Sequence, residues 1–258
     1  MSSREKVLPG QDEDAADVLE FVFRNKGMNV LSRSRAASVT RTDDGVEVVL
    51  ADGRRVEGSH CLMAVGSIPN TEGLGLEKAG VRVSESGHIV VDGVSRTSRA
   101  GIYAAGDCTG VLPLASVAAM QGRIAMNHAL GDAVQPLKLR NVASNVFTAP
   151  EIATVGFTQQ NYRENPTDID TVMLPLDTNP RAKMLGIEDG FVKIFARRGS
   201  GSILGGVVVG PRASELILPI TMAVENRLTV DQLSASFVVY PSVSGSLTEA
   251  ARKLHRHL

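Results

Sequence analysis

The first apolar pattern with a clear period lies between Asp12 and Gly27. Val18, Leu19, Val22 and Phe23 recur at helical spacing, Asp12 or Asp14 stands ahead of them as a cap, and Gly27 follows as a stop. The period then falls to two. Asn29–Leu31, Ala36–Arg41, Val46–Leu50 and Arg55–Glu57 alternate, with TDDG and ADGR between them, which predicts an antiparallel meander. The unbroken apolar run Cys61–Val65 predicts a buried strand that stops at Gly66 and Pro69. A second small β unit leads to a strand at Ile102–Ala105 and a helix over Ala115–Leu130. The composition turns loop-like from Gly131 to Asn141, where a domain boundary is expected. Beyond it, strands are predicted at Asn145–Phe147, Ile152–Val155, Val172–Leu176, Phe191–Ala196 and Ile203–Val209. Helices are predicted at Ala213–Asn226, Val230–Leu233 and Gly245–Leu254. Strands and helices in blocks point to an α+β domain.

Composition narrows the classes. With 258 residues, 43% hydrophobic and 21% charged, the chain is long enough for a real core and is not a disordered polymer. A net charge of −1 with scattered cations gives no nucleic-acid footprint, and no Trp is present to stack on bases. No apolar run reaches the length of a membrane span, and MSSREKVLPG lacks a signal-peptide core. The two cysteines, Cys61 and Cys108, stand at no metal-ligand or paired spacing, which fits a reducing cytoplasm. The expected roles are packing for Cys108 and burial for Cys61. No metal is expected at His60, His88 or His128, which share no ligand spacing. The basic ending ARKLHRHL reads as a solvated helix end.

Chemistry concentrates in IYAAGDCTG, Ile102–Gly110. A carboxylate just past a strand, with a helix start a few residues on, suits a nucleotide or flavin. Asp107 can accept from a ribose or ribityl hydroxyl, Gly106 lets a ligand come close, and free amides near Leu114–Ser116 favour negative charge. On motif shape alone the plainer reading, a strand-end turn with a solvated carboxylate, is the commoner one.

With TSRAG before it and PLASVAAMQGR after it, the stretch resembles the second FAD-binding motif of the flavoprotein disulfide reductases, the family of dihydrolipoamide dehydrogenase, glutathione reductase and mercuric reductase. LMAVGSIPNT, FTAPEIATVGFTQ, NPRAKMLG with DGFVKIFA, and ILGGVVVG with ASELI resemble further family segments in the right order. The resemblance covers essentially the whole chain. It implies incomplete dinucleotide-binding (Rossmann-like) α/β segments followed by an α+β interface domain. The implied divisions are 1–72 for part of an NAD(P)-binding domain, 73–140 for part of an FAD-binding domain, and 141–258 for dimerisation. By the same resemblance Asp107 and Gly106 meet the FAD ribityl chain. Pro113, Leu114, Ala115 and Ser116 present backbone to the flavin, where the helix dipole favours its reduced, negatively charged form. Gly66 and Ala36 line the NAD(P) site. Ser3 and Arg4 stand near the family's ribose-reading position and suit a 2′-phosphate as well as they suit a solvated loop.

Two departures shape the expected function. Neither GxGxxG unit of the family is present, so the chain is expected to be the C-terminal part of a longer flavoenzyme, beginning within the nicotinamide domain. The family's thiol chemistry uses a C-x4-C pair and a His-Glu pair in H-x-H-P-T-x-S-E. The matching segment here is VVYPSVSGS, with Tyr240 in place of the His and Gly245 in place of the Glu. A phenol titrates near pH ~10 and cannot shuttle protons at neutral pH, although it can donate a hydrogen bond. Tyr240 either orients an acceptor or fills the space of the His. The pattern most resembles the NAD(P)H:quinone dehydrogenase branch. The expected activity is transfer of two electrons from NAD(P)H through FAD to a quinone-type acceptor by a homodimer. The alternatives are a non-catalytic dimerisation module and a thiol-disulfide reductase whose cysteine pair lies upstream.

Overall fold

A computed structural model describes residues 1–255; Arg256, His257 and Leu258, which end the basic tail read above as a helix end, lie outside the described residues. The described chain forms two compact units. One comprises Met1–Leu62 with Arg140–Leu258, and the other Met63–Leu139.

The first unit opens on a loop and helix α1 (Glu13–Asn25). Asp12 caps it, accepting from the amides of Asp14 and Ala15, so of the two acidic candidates the earlier one is the cap. Strands β1 (Ala36–Arg41), β2 (Val46–Leu50) and β3 (Arg55–Gly58) form the expected antiparallel meander. Asn29–Leu31 is not a strand. Its backbone is used instead by the N-terminal loop, as Leu31 O accepts from Ser2 N at 2.9 Å.

The larger sheet has the order β4-β5-β8-β7-β6, antiparallel throughout. Its strands are β4 (Ser144–Val146), β5 (Glu151–Gly156), β6 (Ile169–Pro175), β7 (Phe191–Arg197) and β8 (Ile203–Gly210). Each sequence-predicted strand here has its counterpart within a few residues. FVKIFA in β7 is buried throughout because this sheet is covered on both faces. On one face Val192, Ile194 and Val208 pack with Ile220, Ala223, Leu247 and Ala251. On the other, Phe191, Phe195, Val207 and Val209 pack with Ala15 and Leu19 of α1.

The covering helices are α5 (Ala213–Leu216), α6 (Leu218–Asn226), α7 (Val230–Ser234) and α8 (Gly245–Leu254). The single helix expected over Ala213–Asn226 is divided into α5 and α6, with Pro219 in the first turn of α6, where its missing N–H costs nothing. Short helices α3 (Gln159–Glu164) and α4 (Pro180–Met184) have too few turns to carry an apolar period. Their signals are caps: Thr158 with Asn161, and Asn179 ahead of Pro180.

The second unit holds helix α2 (Ala115–Ala129) and a turn-rich segment with isolated bridges such as Val91↔Thr97 and Arg96↔Tyr103. Val81, Ile89, Val117, Ile124 and Ala125 are its buried apolar residues. Two expected strands are corrected here. Ile102–Ala105 forms only the Tyr103 bridge, and Cys61–Val65 forms none. Apolar runs of this kind are stable as strands between flanking strands of a parallel sheet. Every ladder among the described residues is antiparallel and none reaches them, so Leu62 and Val65 stand 89% and 86% exposed. Cys61 is half-buried rather than buried, and both cysteines are free thiols.

Candidate functional site

The loop that carries Asp107 is built from a small buried polar network. Gly106 has φ 90°, a left-handed value that glycine adopts without strain, and a Cβ there would stand 3.3 Å from the Ala118 methyl. The loop is thereby laid tightly on α2. Gly106 N–H donates to Gln121 Oε1 at 2.8 Å, and Thr109 Oγ1 donates to Gly106 O at 2.8 Å. Gln121 Nε2 donates back to Thr109 Oγ1 at 3.3 Å. Gln121 and Thr109 are both buried. A buried network with each member partnered fixes one conformation.

Out of this base a 3-10 turn, Asp107–Thr109, projects. Asp107 is exposed and opens the turn, and Gly110 closes it at φ 65° against the His88 ring. Cys108 turns its thiol onto Ala105 O at 3.4 Å, a packing arrangement. Pro113 and Leu114 lead into α2, whose N-cap, Leu114, supplies no side-chain cap. Pro113, Ala115 and Ser116 are exposed, so the first-turn amides present an uncapped positive dipole end. An acceptor carboxylate, a pinned glycine and uncapped amides fit a ligand with hydroxyls and a site of negative charge. Gly66, at φ 129°, is exposed in the same unit, with nothing near a would-be Cβ.

The other sequence-marked residues fall in the first unit. Ala36 opens β1, exposed, at a break in the β1–β2 register. Residues 2–4 run beside residues 31–34, through Ser34 N to Ser2 O at 2.7 Å and Arg33 N to Arg4 O at 2.8 Å. Arg4 lines a cavity of about 740 Å³ with Lys6, Asp12, Glu13, Gln159 and Arg163. Lys6 is tied to Asp17, and Arg163 grips Glu13 through both guanidinium nitrogens at 2.6 and 2.7 Å. The Arg163 hydrogen bonds hold the Glu13 carboxyl below its ordinary range. Of the three cations lining the cavity, Arg4 is the one with no ion pair among the described residues. Ser3 is exposed beside it. Tyr240 is 81% exposed in the loop between α7 and α8, next to a cis bond to Pro241, and its hydroxyl has no partner among the described residues. Gly245 opens α8.

Comparison with known proteins decides the family. A family model described as "Pyridine nucleotide-disulphide oxidoreductase" matches residues 1–122, and one described as "Pyridine nucleotide-disulphide oxidoreductase, dimerisation domain" matches residues 142–251. The chain belongs to this family of flavoprotein disulfide reductases. It is 59% identical over 257 residues to a Mycobacterium tuberculosis protein named NAD(P)H dehydrogenase (quinone), covering 100% of this chain and 52% of that one. It is 36% identical over 256 residues to a dihydrolipoyl dehydrogenase of Thermus scotoductus, covering 97% of this chain and 55% of that one. Among solved structures, LpdA from Mycobacterium tuberculosis superposes with a TM-score of 0.93 at 59% identity, over 98% of this chain and 55% of that chain. The chain spans about half the length of the relatives it matches.

The fold class expected from the family resemblance holds: mixed α/β, with residues 142–251 matching the family's dimerisation domain. Sequence reasoning missed Gln121 and Thr109 as the residues that hold the Asp107 loop. The signal was present: Gln121 is a polar residue on the buried face of α2, beside Val117, Ile124 and Ala125. Among the described residues no group of three or more His, Cys, Asp or Glu is placed to hold a metal, and no helix is long and apolar enough to cross a membrane.

Proposed function

We propose that this chain forms the C-terminal part of an FAD-dependent NAD(P)H oxidoreductase that delivers two electrons to a quinone-type acceptor. The observation that carries the reading is Tyr240 with Gly245, which leaves no imidazole–carboxylate pair in the segment where thiol-reducing relatives keep one. The 59% identity to a protein named NAD(P)H dehydrogenase (quinone) supports the same branch. When bound, the flavin supplies the chemistry, accepting hydride from NAD(P)H and releasing two electrons.

The side chains have the following roles. Asp107 accepts hydrogen bonds from the ribityl hydroxyls, and Gly106 keeps the approach open. The amides of Ala115 and Ser116, at the uncapped end of α2, stabilise negative charge on the ring system, with Pro113 and Leu114 shaping the edge. Gly66 and Ala36 give backbone to the nicotinamide nucleotide, and Ser3 and Arg4 read its ribose, Arg4 being available for a 2′-phosphate. Tyr240 donates its phenolic proton in a hydrogen bond to an acceptor carbonyl. The protein works as a homodimer through its dimerisation domain in the cytoplasm, where its two thiols stay reduced.

A second reading, a dimerisation module without redox activity, is favoured by the absence of both GxGxxG units from the sequence and by the closed double-faced core of the dimerisation sheet. One experiment separates the readings. The full-length protein of which this chain forms a part is titrated with FAD, its visible spectrum recorded, and NAD(P)H oxidation assayed with a quinone and with lipoamide. Flavin bands with quinone turnover are expected. A colourless protein that never takes up FAD supports the module, and lipoamide turnover without quinone turnover overturns the acceptor assignment.

A further inference from the structure

A second cavity in the first unit, about 280 Å³, lies where the β7–β8 hairpin meets the end of α6. Arg140, Arg197 and Arg227 line it, over an apolar floor of Phe157, Leu204 and Val224, and no carboxylate lines it among the described residues. None of the three arginines has an ion-pair partner among the described residues, whereas the neighbouring Arg198 is paired with Asp170 at 2.9 Å. Guanidinium groups stay charged at any physiological pH. All three are exposed, so solvent screens their mutual repulsion, and an anion placed among them removes what remains.

The backbone of this cavity is held firmly. Arg197 N–H donates to Ser202 O at 2.8 Å, and Gly201 N–H donates to Arg197 O at 2.9 Å. Ile203 N–H donates to Leu228 O at 2.8 Å, which ties the hairpin to the residue after Arg227. Arg227 ends α6 in the left-handed region, φ 55°, ψ 37°. That position is the usual place of glycine, and a residue with a Cβ there is held at a cost of about 1 kcal/mol. A cation at a helix C-terminus recovers part of that cost. The dipole accounts for a positive charge at this end. It does not account for Arg140 and Arg197, which belong to other elements and line the same cavity.

We propose that this pocket binds a small phosphorylated organic anion, its phosphoryl group held by Arg140, Arg197 and Arg227 and its apolar body against Phe157. A phosphate monoester carries nearly two charges and three acceptor oxygens, a closer match to three guanidinium forks than a carboxylate. The volume, about 280 Å³, falls just below the range of roughly 300–1,000 Å³ usual for ligand cavities, and so admits a monoester rather than a dinucleotide. The three positive charges outweigh the roughly half negative charge at the end of α6. None of its lining residues is among those proposed for FAD and NAD(P)H.

The test is calorimetric titration of the chain with phenyl phosphate, inorganic phosphate, benzoate and benzyl alcohol, for the wild type, Arg227→Gly, Arg197→Gln and, as a control, Lys183→Gln, an exposed cation on α4. Phenyl phosphate is expected to bind most tightly. Arg227→Gly and Arg197→Gln should each weaken it about tenfold or more, the loss of a charge-assisted contact. Lys183→Gln should leave it unchanged. Arg227→Gly relieves the left-handed backbone, so its thermal midpoint should not fall, which separates lost binding from lost fold. No heat with phenyl phosphate at millimolar concentration, or unweakened binding in both cavity variants, overturns the proposal. Equal binding of benzyl alcohol overturns the anion. Equal binding of benzoate overturns the phosphoryl group, and equal binding of inorganic phosphate overturns the apolar floor.

Discussion

At the scale of single residues, Lys193 is the exception that organises the N-terminal side of the large sheet. It lies in the middle of FVKIFA, facing α1, and is only 4% exposed. Its ammonium meets both carboxylate oxygens of Asp12, at 2.8 and 2.7 Å, and also reaches Asp14. Asp12 is buried as well and caps α1, so one carboxylate closes the helix and neutralises the strand. Such a pair adds little over an apolar replacement of both partners, but removing one partner strands a buried charge. Lys193→Met is therefore expected to destabilise the chain by about 3–5 kcal/mol. Lys193→Met with Asp12→Ser should recover part of that loss, since serine still caps the helix. Urea unfolding of the three proteins checks this. A single variant within about 0.5 kcal/mol of wild type, the range of an ordinary surface change, would show that α1 is not anchored through this pair.

At the scale of elements, legibility followed the range of the interactions. Strands β5 to β8 were readable because each carries its own apolar run and turn. Helix α1 was readable from its stripe and cap. The α5–α6 break was signalled by Pro219, yet the apolar pattern ran straight through it. Cys61–Val65 and Ile102–Ala105 were misread for a physical reason: apolar content says a segment wants covering, and only neighbours make it a strand. For the candidate site, the motif residues were legible through family resemblance; the polar position on the apolar face of α2 marks Gln121 as unusual, but nothing local shows that it closes a loop fifteen residues away through Thr109. The junction of β5 with α5 carries a prediction of its own. Burial opposes ionisation of Glu151, but the amide of Ser214 donates to it at 3.0 Å and Asn145 Nδ2 donates at 3.3 Å. The donors prevail, so its pKa falls below the ordinary 4.5. A carboxyl lowered on folding stabilises above the unfolded value, and that contribution is lost as pH falls through the folded value. Glu151→Gln should thus be less stable than wild type at neutral pH, with the gap closing in acid. A gap that stays constant from neutral pH into acid would mean that the charge of Glu151 plays no part.

At the scale of the whole molecule, the covered and uncovered apolar surfaces differ in kind. The dimerisation sheet has cores on both faces. Apolar side chains are nevertheless exposed on elements that follow β8: Leu218 and Met222 on α6, and Phe237, Val239 and Tyr240 in the loop before α8. Phe237 is fully exposed at 106%. Large apolar side chains are worth about 1.5–3 kcal/mol each when removed from water, so these residues from both copies together, and not a few of them, are needed to offset the association cost of about 4–15 kcal/mol and hold a dimer at micromolar concentration. Leu62, Val65 and Ile68 offer a competing surface of the same chemistry, and association through them would have no fixed partner face. The two cases separate by substitution. Phe237→Glu with Val239→Glu places charges where contact is expected and disturbs no described core. The wild-type chain should sediment at twice its 27.3 kDa mass and the double variant at that mass, with unchanged circular dichroism. The same pair of charges at Leu62 and Val65 should reduce aggregation and leave the dimer intact. A dimer that survives the Phe237 and Val239 changes but dissolves on charging Leu62 and Val65 would move the association from the dimerisation domain to the uncovered apolar run.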